Sequence, residues 1–381
     1  MTIHIEDNHP LAGDTTFGIG GKAHKYIAPE TIDELIDALA VAQTDNAPIF
    51  ILGAGSNTLI NDEGFKGYVI HPAMKSVDWQ EQSDGSTIVT IGAGANFDDV
   101  VLESCRRNLA GIESLSGIPG SAGGSLVQNI GAYGQEISEC FACATAVRAE
   151  TLEICELGPK DLAFAYRSTS LKVPSPAYII ASITLRLTPF DADTAAERCI
   201  EHGFKQIALR RPKTAMALRE LVLETRRSKA MCYDPADYNT HGVGSFFVNP
   251  IVSTEDAQRF NAASAIKYQK SIPSFPTDDG RVKLSAAWLI EKSGFNKGYC
   301  FKGASLSEKH CLAIVNRQNA TAADIVEFAN GIASYVFLEF RVELLPEVVY
   351  LGYEGVEPLP INPRKAEVTG APLRPNSHLY Q

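Results

Sequence analysis

Positive charge is in short supply. The 381 residues carry 34 Lys and Arg against 45 Asp and Glu, a formal net charge of −11. Proteins whose main ligand is nucleic acid or an anionic membrane are basic on the binding face, so neither is expected as a partner. An anionic small substrate stays open, because a local basic pocket can sit on an acidic protein. No uninterrupted apolar run reaches about 18 residues, so no spanning helix is expected. The opening residues MTIHIEDNHPLAGD have neither the basic nor the apolar region of a secretory signal. The eight cysteines are scattered rather than patterned, which argues against a disulfide framework and for a reducing compartment, the cytoplasm. Cys140 and Cys143 have CxxC spacing, but no second pair completes a metal site, so no metal is expected and both read as small buried residues.

What is present fits a globular protein with an ample core: 45% of residues are hydrophobic. The length suggests two or three domains. Thr31–Gln43 has helical spacing, with Thr31 as N-cap and Glu34 completing a capping box. Ile49–Leu52, Tyr68–Ile70 and Ser86–Ile91 read as short strands. The first runs into Gly53-Ala54-Gly55-Ser56-Asn57 and the third into Gly92-Ala93-Gly94-Ala95-Asn96, followed by a helix over Asp98–Arg107. Ala144–Leu152 and Tyr178–Leu187 alternate like strands. A polar, helix-prone stretch runs from about 191 to 230. Ala322–Phe340 is a long helical segment, and Leu344–Tyr350 a strand broken by Pro346. Five prolines after residue 355 mark a loosely ordered tail.

Several glycine-rich turns could carry chemistry. Gly18-Ile19-Gly20-Gly21-Lys22 fails as a P-loop, because Ala23 stands where Ser or Thr should ligate magnesium. Gly53–Asn57 follows a strand as a Rossmann turn would, but lacks the third glycine; a plain tight turn and an anion-binding turn both stay open there. The run Ile118-Pro119-Gly120-Ser121-Ala122-Gly123-Gly124-Ser125 is denser. Small residues bury little area, so such a run needs another reason. Backbone N–H groups and a Ser hydroxyl wrapping a phosphate supply one. Its continuation, Gln128-Asn129-Ile130-Gly131-Ala132-Tyr133-Gly134, adds amide side chains and a second turn. The whole run reads as a cradle for a dinucleotide diphosphate.

Three further positions stand out. Arg167 sits beside Tyr166 in a turn-like context and could clamp a carboxylate. Ser245 follows two glycines in Gly242-Val243-Gly244-Ser245-Phe246-Phe247-Val248-Asn249-Pro250. Phe247 stands where a nucleophile elbow needs glycine, and no motif places a base, which favours proton donation over acyl transfer. Glu347 is an acidic group inside the apolar stretch Leu345–Val349. Taken singly, Arg167 and Glu347 read better as surface residues.

Taken in order, these elements resemble the UDP-N-acetylenolpyruvoylglucosamine reductase family. The matching residues are Thr16–Gly21, Leu52–Asn57, Ile118–Gly134, Tyr166-Arg167, Gly244–Pro250 and Pro346–Val348, across roughly residues 15 to 350. The resemblance implies an α+β protein. An FAD-binding domain of the vanillyl-alcohol-oxidase type would span 15–190 in two subdomains, about 15–72 and 73–190. A connecting helical segment at 191–230, an α+β substrate-binding domain at 231–353 and the tail at 354–381 would follow. It implies FAD as cofactor, NADPH as donor, the enolpyruvyl ether of UDP-N-acetylglucosamine as substrate and UDP-N-acetylmuramate, a peptidoglycan precursor, as product. A cytoplasmic monomer is expected.

The same resemblance implies roles for individual residues. Arg167, Ser245 and Glu347 would be catalytic. Gly53, Ala54, Gly55, Ser56, Asn57, Thr58, Pro119, Gly120, Ser121, Gly123, Gly124, Asn129, Gly131, Ala132 and Tyr133 would hold the cofactor. Tyr166, Lys229, Asn249 and His310 would contact substrate. One departure is visible: many members carry a Tyr that closes over the substrate diphosphate, and His202 is its nearest counterpart here. Two other readings stay open, a flavin oxidoreductase of the same fold with another small substrate, and a non-catalytic nucleotide-binding paralogue.

Overall fold

The computed structural model describes residues 3–173, 176–277 and 279–353. The tail expected from residue 354 lies outside them. The chain forms two compact units, and it alternates between them. The first unit takes residues up to Pro10, Lys22–Ser56 and Phe65–Cys232. The second takes Leu11–Gly21, Asn57–Gly64 and everything from Tyr233.

In the first unit, helix α1 (Ile32–Thr44) starts where the sequence places it, with the Thr31 hydroxyl accepting from the Glu34 N–H. The Glu34 carboxylate accepts from the Glu30 N–H, one residue earlier than a capping box requires. Leu35, Ala38, Leu39 and Ala42 are the buried face of α1, spaced at three and four residues as one helix stripe must be. They pack with Ile27, Tyr68 and Ile70. Those residues come from a four-stranded sheet in the order Glu6–Pro10, Lys22–Ile27, Phe65–Ile70, Ile49–Ile51. Its last two pairings are parallel.

A second, antiparallel sheet runs in the order Ile154–Leu157, Phe141–Arg148, Tyr178–Pro189, Thr87–Gly92, Val77–Glu81. Helix α2 (Phe97–Arg106) follows the second GAG turn, and Asn96 of that turn is its N-cap, accepting from the Asp99 N–H. The six-residue helix α3 (Ala122–Val127) comes next. Helices α4 (Ala192–Glu201), α5 (Lys205–Leu209) and α6 (Ala215–Ser228) close the unit. The sequence makes 191–230 a connecting segment. The structure instead packs it into the first unit, because Ala195, Cys199, Ile207, Leu218 and Val222 form an apolar cluster around Tyr133.

The second unit holds α7 (Thr254–Tyr268), α8 (Ala286–Lys292) and α9 (Ala322–Phe340) with two three-stranded antiparallel sheets. The bounds of α9 are those read from sequence. Thr321 and Asp324 form a capping box at its start, and Arg341 ends it in the left-handed conformation. Phe246, Phe247, Phe295 and Phe328 fill the core of this unit. Burying a side chain as large as Phe328 stabilises by roughly 2–3 kcal/mol.

Two N-terminal segments complete this unit. Thr58–Ile60 pairs in parallel with Val349–Leu351, and the Thr16 hydroxyl donates to the Gly242 carbonyl at 2.6 Å. The domain limits read from sequence therefore differ for 15–21 and 57–64. Both stretches supply edges and buried side chains, Phe17, Ile19 and Leu59, to the second core. Local spacing carries no sign of such a long-range pairing.

Candidate active site

Short apolar strands followed by residues without bulk let two loops of the first unit meet. The Ser56 hydroxyl donates to the Pro119 carbonyl at 2.9 Å. A Cβ on Gly53 would lie 2.9 Å from the Ser121 hydroxyl, so a side chain there would turn that hydroxyl away from the Gly124 N–H it caps. Among the described residues, the amides of Gly53, Ala54, Gly55, Ser56, Gly120 and Ser121 have no protein acceptor.

Part of the expectation for the cradle needs correction. The amides after Ser121 do not point outward: Ala122 donates to Ala95, Gly123 to Ala93, Gly124 to the Ser121 hydroxyl and Ser125 to the Ser121 carbonyl. The small residues there serve backbone packing against the second GAG turn; a Cβ on Gly123 would lie 3.0 Å from the Ala93 Cβ. The amides left for an anion are those of 53–56 and of 120–121. A set of unpartnered amides on two side-chain-poor loops suits a diphosphate. The dinucleotide FAD fits it, and Gly53, Ala54, Gly55, Ser56, Gly120 and Ser121 are the residues that would hold it.

The continuation of the loop is braced rather than open. Asn129 is buried; its side-chain N–H groups donate to the Glu136 carboxylate at 2.9 Å and the Ala165 carbonyl at 3.0 Å. It ties a hairpin, Gly131–Ala132 paired with Gln135–Glu136, to the turn that carries Tyr166 and Arg167. The Tyr133 ring packs edge-on against Phe204 in the α4–α6 cluster, and burial pushes its hydroxyl pKa up.

Arg167 takes the left-handed conformation (φ 57°), uncommon for a residue with a side chain. Ala165 and Ser168 exchange backbone hydrogen bonds around it. Its guanidinium donates to the Gly131 carbonyl at 2.6 Å and lies 5.0 Å from the Tyr166 ring centre. Lys229 caps the end of α6 and is exposed. The His202 ring, joined through Nδ1 to the Arg198 carbonyl at 3.0 Å, covers Gly134.

In the second unit the structure brings the segments that carry Ser245 and Glu347 together through backbone hydrogen bonds. Phe246 donates its N–H to the Leu312 carbonyl, and Glu347 donates to the Phe246 carbonyl at 2.8 Å. Val248 donates to the Leu345 carbonyl, and Phe247 and Pro346 form a bridge. The Ser245 hydroxyl, half-buried, has no protein partner among the described residues. Asn57 braces this pair, its side-chain N–H donating to the Glu347 carbonyl at 3.0 Å. Thr58 is buried in the strand that follows. The His310 Nδ1 accepts from the Leu312 N–H at 3.1 Å, on the segment that flanks Phe246. Asn249 accepts the Ala286 N–H at the start of α8. Asn57, Thr58 and Asn249 thus have structural bonds within the second unit.

Sequence reasoning missed the residues that hold the cradle's entrance. Asp98 accepts the Gly117 N–H at 2.6 Å and pairs bidentately with buried Arg219. Arg226 donates to the Gly117 carbonyl. An Asp two residues past the Asn of a GAGAN turn is indistinguishable in sequence from an ordinary first-turn helix acid.

A unit with amides suited to a dinucleotide, together with a separate α+β unit, is the build of an FAD-containing oxidoreductase. Comparisons with known proteins agree. The family profile described as "FAD binding domain" matches residues 23–151, and "UDP-N-acetylenolpyruvoylglucosamine reductase, C-terminal domain" matches residues 234–351. The UDP-N-acetylenolpyruvoylglucosamine reductase of Thermobifida fusca is 37% identical over 92% of this chain and 99% of its own length. That of Streptomyces coelicolor is 38% identical over 90% of this chain and 89% of its own. The crystal structure of UDP-N-acetylenolpyruvylglucosamine reductase from Thermus caldophilus superposes with a TM-score of 0.61 at 25% identity, covering 92% and 99% of the two chains. The chain belongs to the UDP-N-acetylenolpyruvoylglucosamine reductase family. No helix among the described residues is long and apolar enough to cross a membrane.

Proposed function

We propose that this protein reduces the enolpyruvyl ether of UDP-N-acetylglucosamine to UDP-N-acetylmuramate with NADPH as donor. Bound FAD supplies the means of passing hydride from the nicotinamide to the substrate. The observation that supports the reading is the bond from the Glu347 N–H to the Phe246 carbonyl, which ties the segment of Glu347 to that of Ser245, on a chain whose other unit offers amides suited to a dinucleotide.

The reaction adds hydride to C3 of the enolpyruvyl group and a proton to C2. Negative charge develops at C2 and spreads into the carboxylate. Arg167 stabilises that charge; its fixed turn and its bond to the Gly131 carbonyl hold the guanidinium before the substrate arrives. Glu347 orients the carboxylate end of the substrate. Ser245 delivers the proton to C2; its hydroxyl is not committed to a protein acceptor among the described residues. Tyr166, Lys229 and His310 contact the substrate's nucleotide or sugar, and His202 takes the covering role of the usual Tyr. Asn249 supports Ser245 from the foot of α8.

Stopped-flow absorbance separates the two half-reactions. In Ser245→Ala, reduction of the flavin by NADPH should proceed at the wild-type rate. Reoxidation by the enolpyruvyl substrate should slow by roughly 10²–10⁴-fold, the usual worth of a positioned acid. Full-rate reoxidation in that variant would remove Ser245 from the mechanism.

A further inference from the structure

One buried charge pair in the first unit has no part in the chemistry above. Glu113 is fully buried, and its carboxylate accepts from Arg198 at 2.6 Å, from the Gly111 N–H at 2.7 Å and from the Gln135 side chain at 3.1 Å. Arg198, on α4, also donates to the Ser114 hydroxyl at 2.9 Å. The Gln135 side chain in turn accepts from the Ser114 N–H at 2.9 Å. The Arg198 Nε is buried without an acceptor.

Such a pair is an inefficient source of stability. Two charges are desolvated, one guanidinium donor is left unmet, and an apolar pair of similar size would generally do as well. What the pair does provide is fixed geometry at one place. Gln135 is in the return strand of the hairpin, opposite Ala132 and next to the Gly131–Glu136 pair. The Gly131 carbonyl at the far side receives the Arg167 guanidinium. The same end of α4 grips the hairpin twice more: His202 lies over Gly134, where a Cβ would come within 2.4 Å of its ring, and Phe204 meets Tyr133.

We propose that Arg198 and Glu113 are positioning residues for Arg167. Their pair sets the hairpin through Gln135, and the hairpin sets the guanidinium through the Gly131 carbonyl. Neither residue touches the reacting atoms. The assignment rests on the proposed function only for Arg167's role; the mechanical link is independent of it.

The test uses holoenzyme carrying Arg198→Met, Arg198→Lys, and the double change Arg198→Met/Glu113→Gln, which removes both charges in case one alone prevents folding. Reduction of the flavin by NADPH should stay within about twofold of wild type in all three. Reoxidation by the enolpyruvyl substrate should slow roughly ten- to hundredfold in the two Met variants, as a displacement near 1 Å costs, with the loss in kcat rather than KM. Lys, which keeps the charge, should recover most of that rate. Hydrogen exchange read on peptides covering 129–136 should quicken in Arg198→Met and not on α1. Equal slowing of both half-reactions, unchanged reoxidation, or unchanged exchange at 129–136 would each overturn the proposal. Should wild-type enzyme fail to be reoxidised by the substrate, the proposed function falls, and the exchange measurement alone decides the mechanical link.

Discussion

Removing the Asp98 carboxylate should destabilise the first unit by an amount that can be worked from its bonds. In Asp98→Ala, Arg219 loses both partners of a bidentate pair while its side chain stays 8% exposed. A buried charge left alone costs about 3 kcal/mol, the low end of the usual range because Asp98 itself is partly exposed. The Gly117 N–H also loses its acceptor, for about 1 kcal/mol more. The sum, about 4 kcal/mol, is a large fraction of the stability of an ordinary domain and should lower Tm by roughly 8–16 °C. The same change frees Gly117 just ahead of the Pro119–Ser121 loop, so FAD should be retained less tightly. Urea unfolding followed by circular dichroism, with flavin fluorescence in parallel, measures both. The decisive arm is Asp98→Ala/Arg219→Leu. If the stranded guanidinium is the main cost, the double variant should be more stable than Asp98→Ala alone. Strict additivity of the two single effects, or a loss under about 1 kcal/mol for Asp98→Ala, would refute the reasoning.

Two further outcomes are expected. Gly53→Ala puts a methyl group 2.9 Å from the Ser121 hydroxyl, which must rotate off the Gly124 N–H it caps; FAD titration of the apoprotein should show roughly tenfold weaker binding with the fold retained, and an unchanged Kd would mean that the Ser121 hydroxyl is no part of the cradle. Burial, reinforced by the Glu113 and Glu291 carboxylates, pushes the Cys105 thiol up to about 12 and the Cys311 thiol to about 11. At pH 8, iodoacetamide read by mass spectrometry should label exposed Cys300 and spare Cys105 and Cys311. Because both folded values are raised, the stability they contribute is complete below the unfolded thiol pKa and falls as pH climbs from about 9 toward 11.

Much of the local structure was legible because its signals are local. Thr31 caps α1 as its sequence context requires, and α9 keeps the bounds its apolar spacing sets. The small-residue run at 118–125 stands out in the sequence, but its cause is divided. Side chains are missing partly to let Gly123 pack on Ala93 and only partly to bare the amides of 120 and 121. Absence of side chains reads the same either way in sequence. The expectation that Asn129 and Tyr133 serve a ligand met the same limit, since a buried Asn bracing two turns and a ligand-binding Asn share one letter. Pairing of Thr58–Ile60 with Val349–Leu351 spans almost the whole chain and leaves no periodic trace.

That pairing, with the Thr16 bond to Gly242, has a consequence for how the protein is made. The chain crosses between its two units five times, at 10/11, 21/22, 56/57, 64/65 and 232/233. A fragment ending at Cys232 would carry two orphaned segments, and one starting at Tyr233 would lack an edge strand and the buried Phe17, Ile19 and Leu59. On the ribosome, Leu11–Gly21 and Asn57–Gly64 emerge long before Val349–Leu351 exists to receive them. The second unit therefore completes itself only once Val349–Leu351 has been made, around two segments that have waited for it.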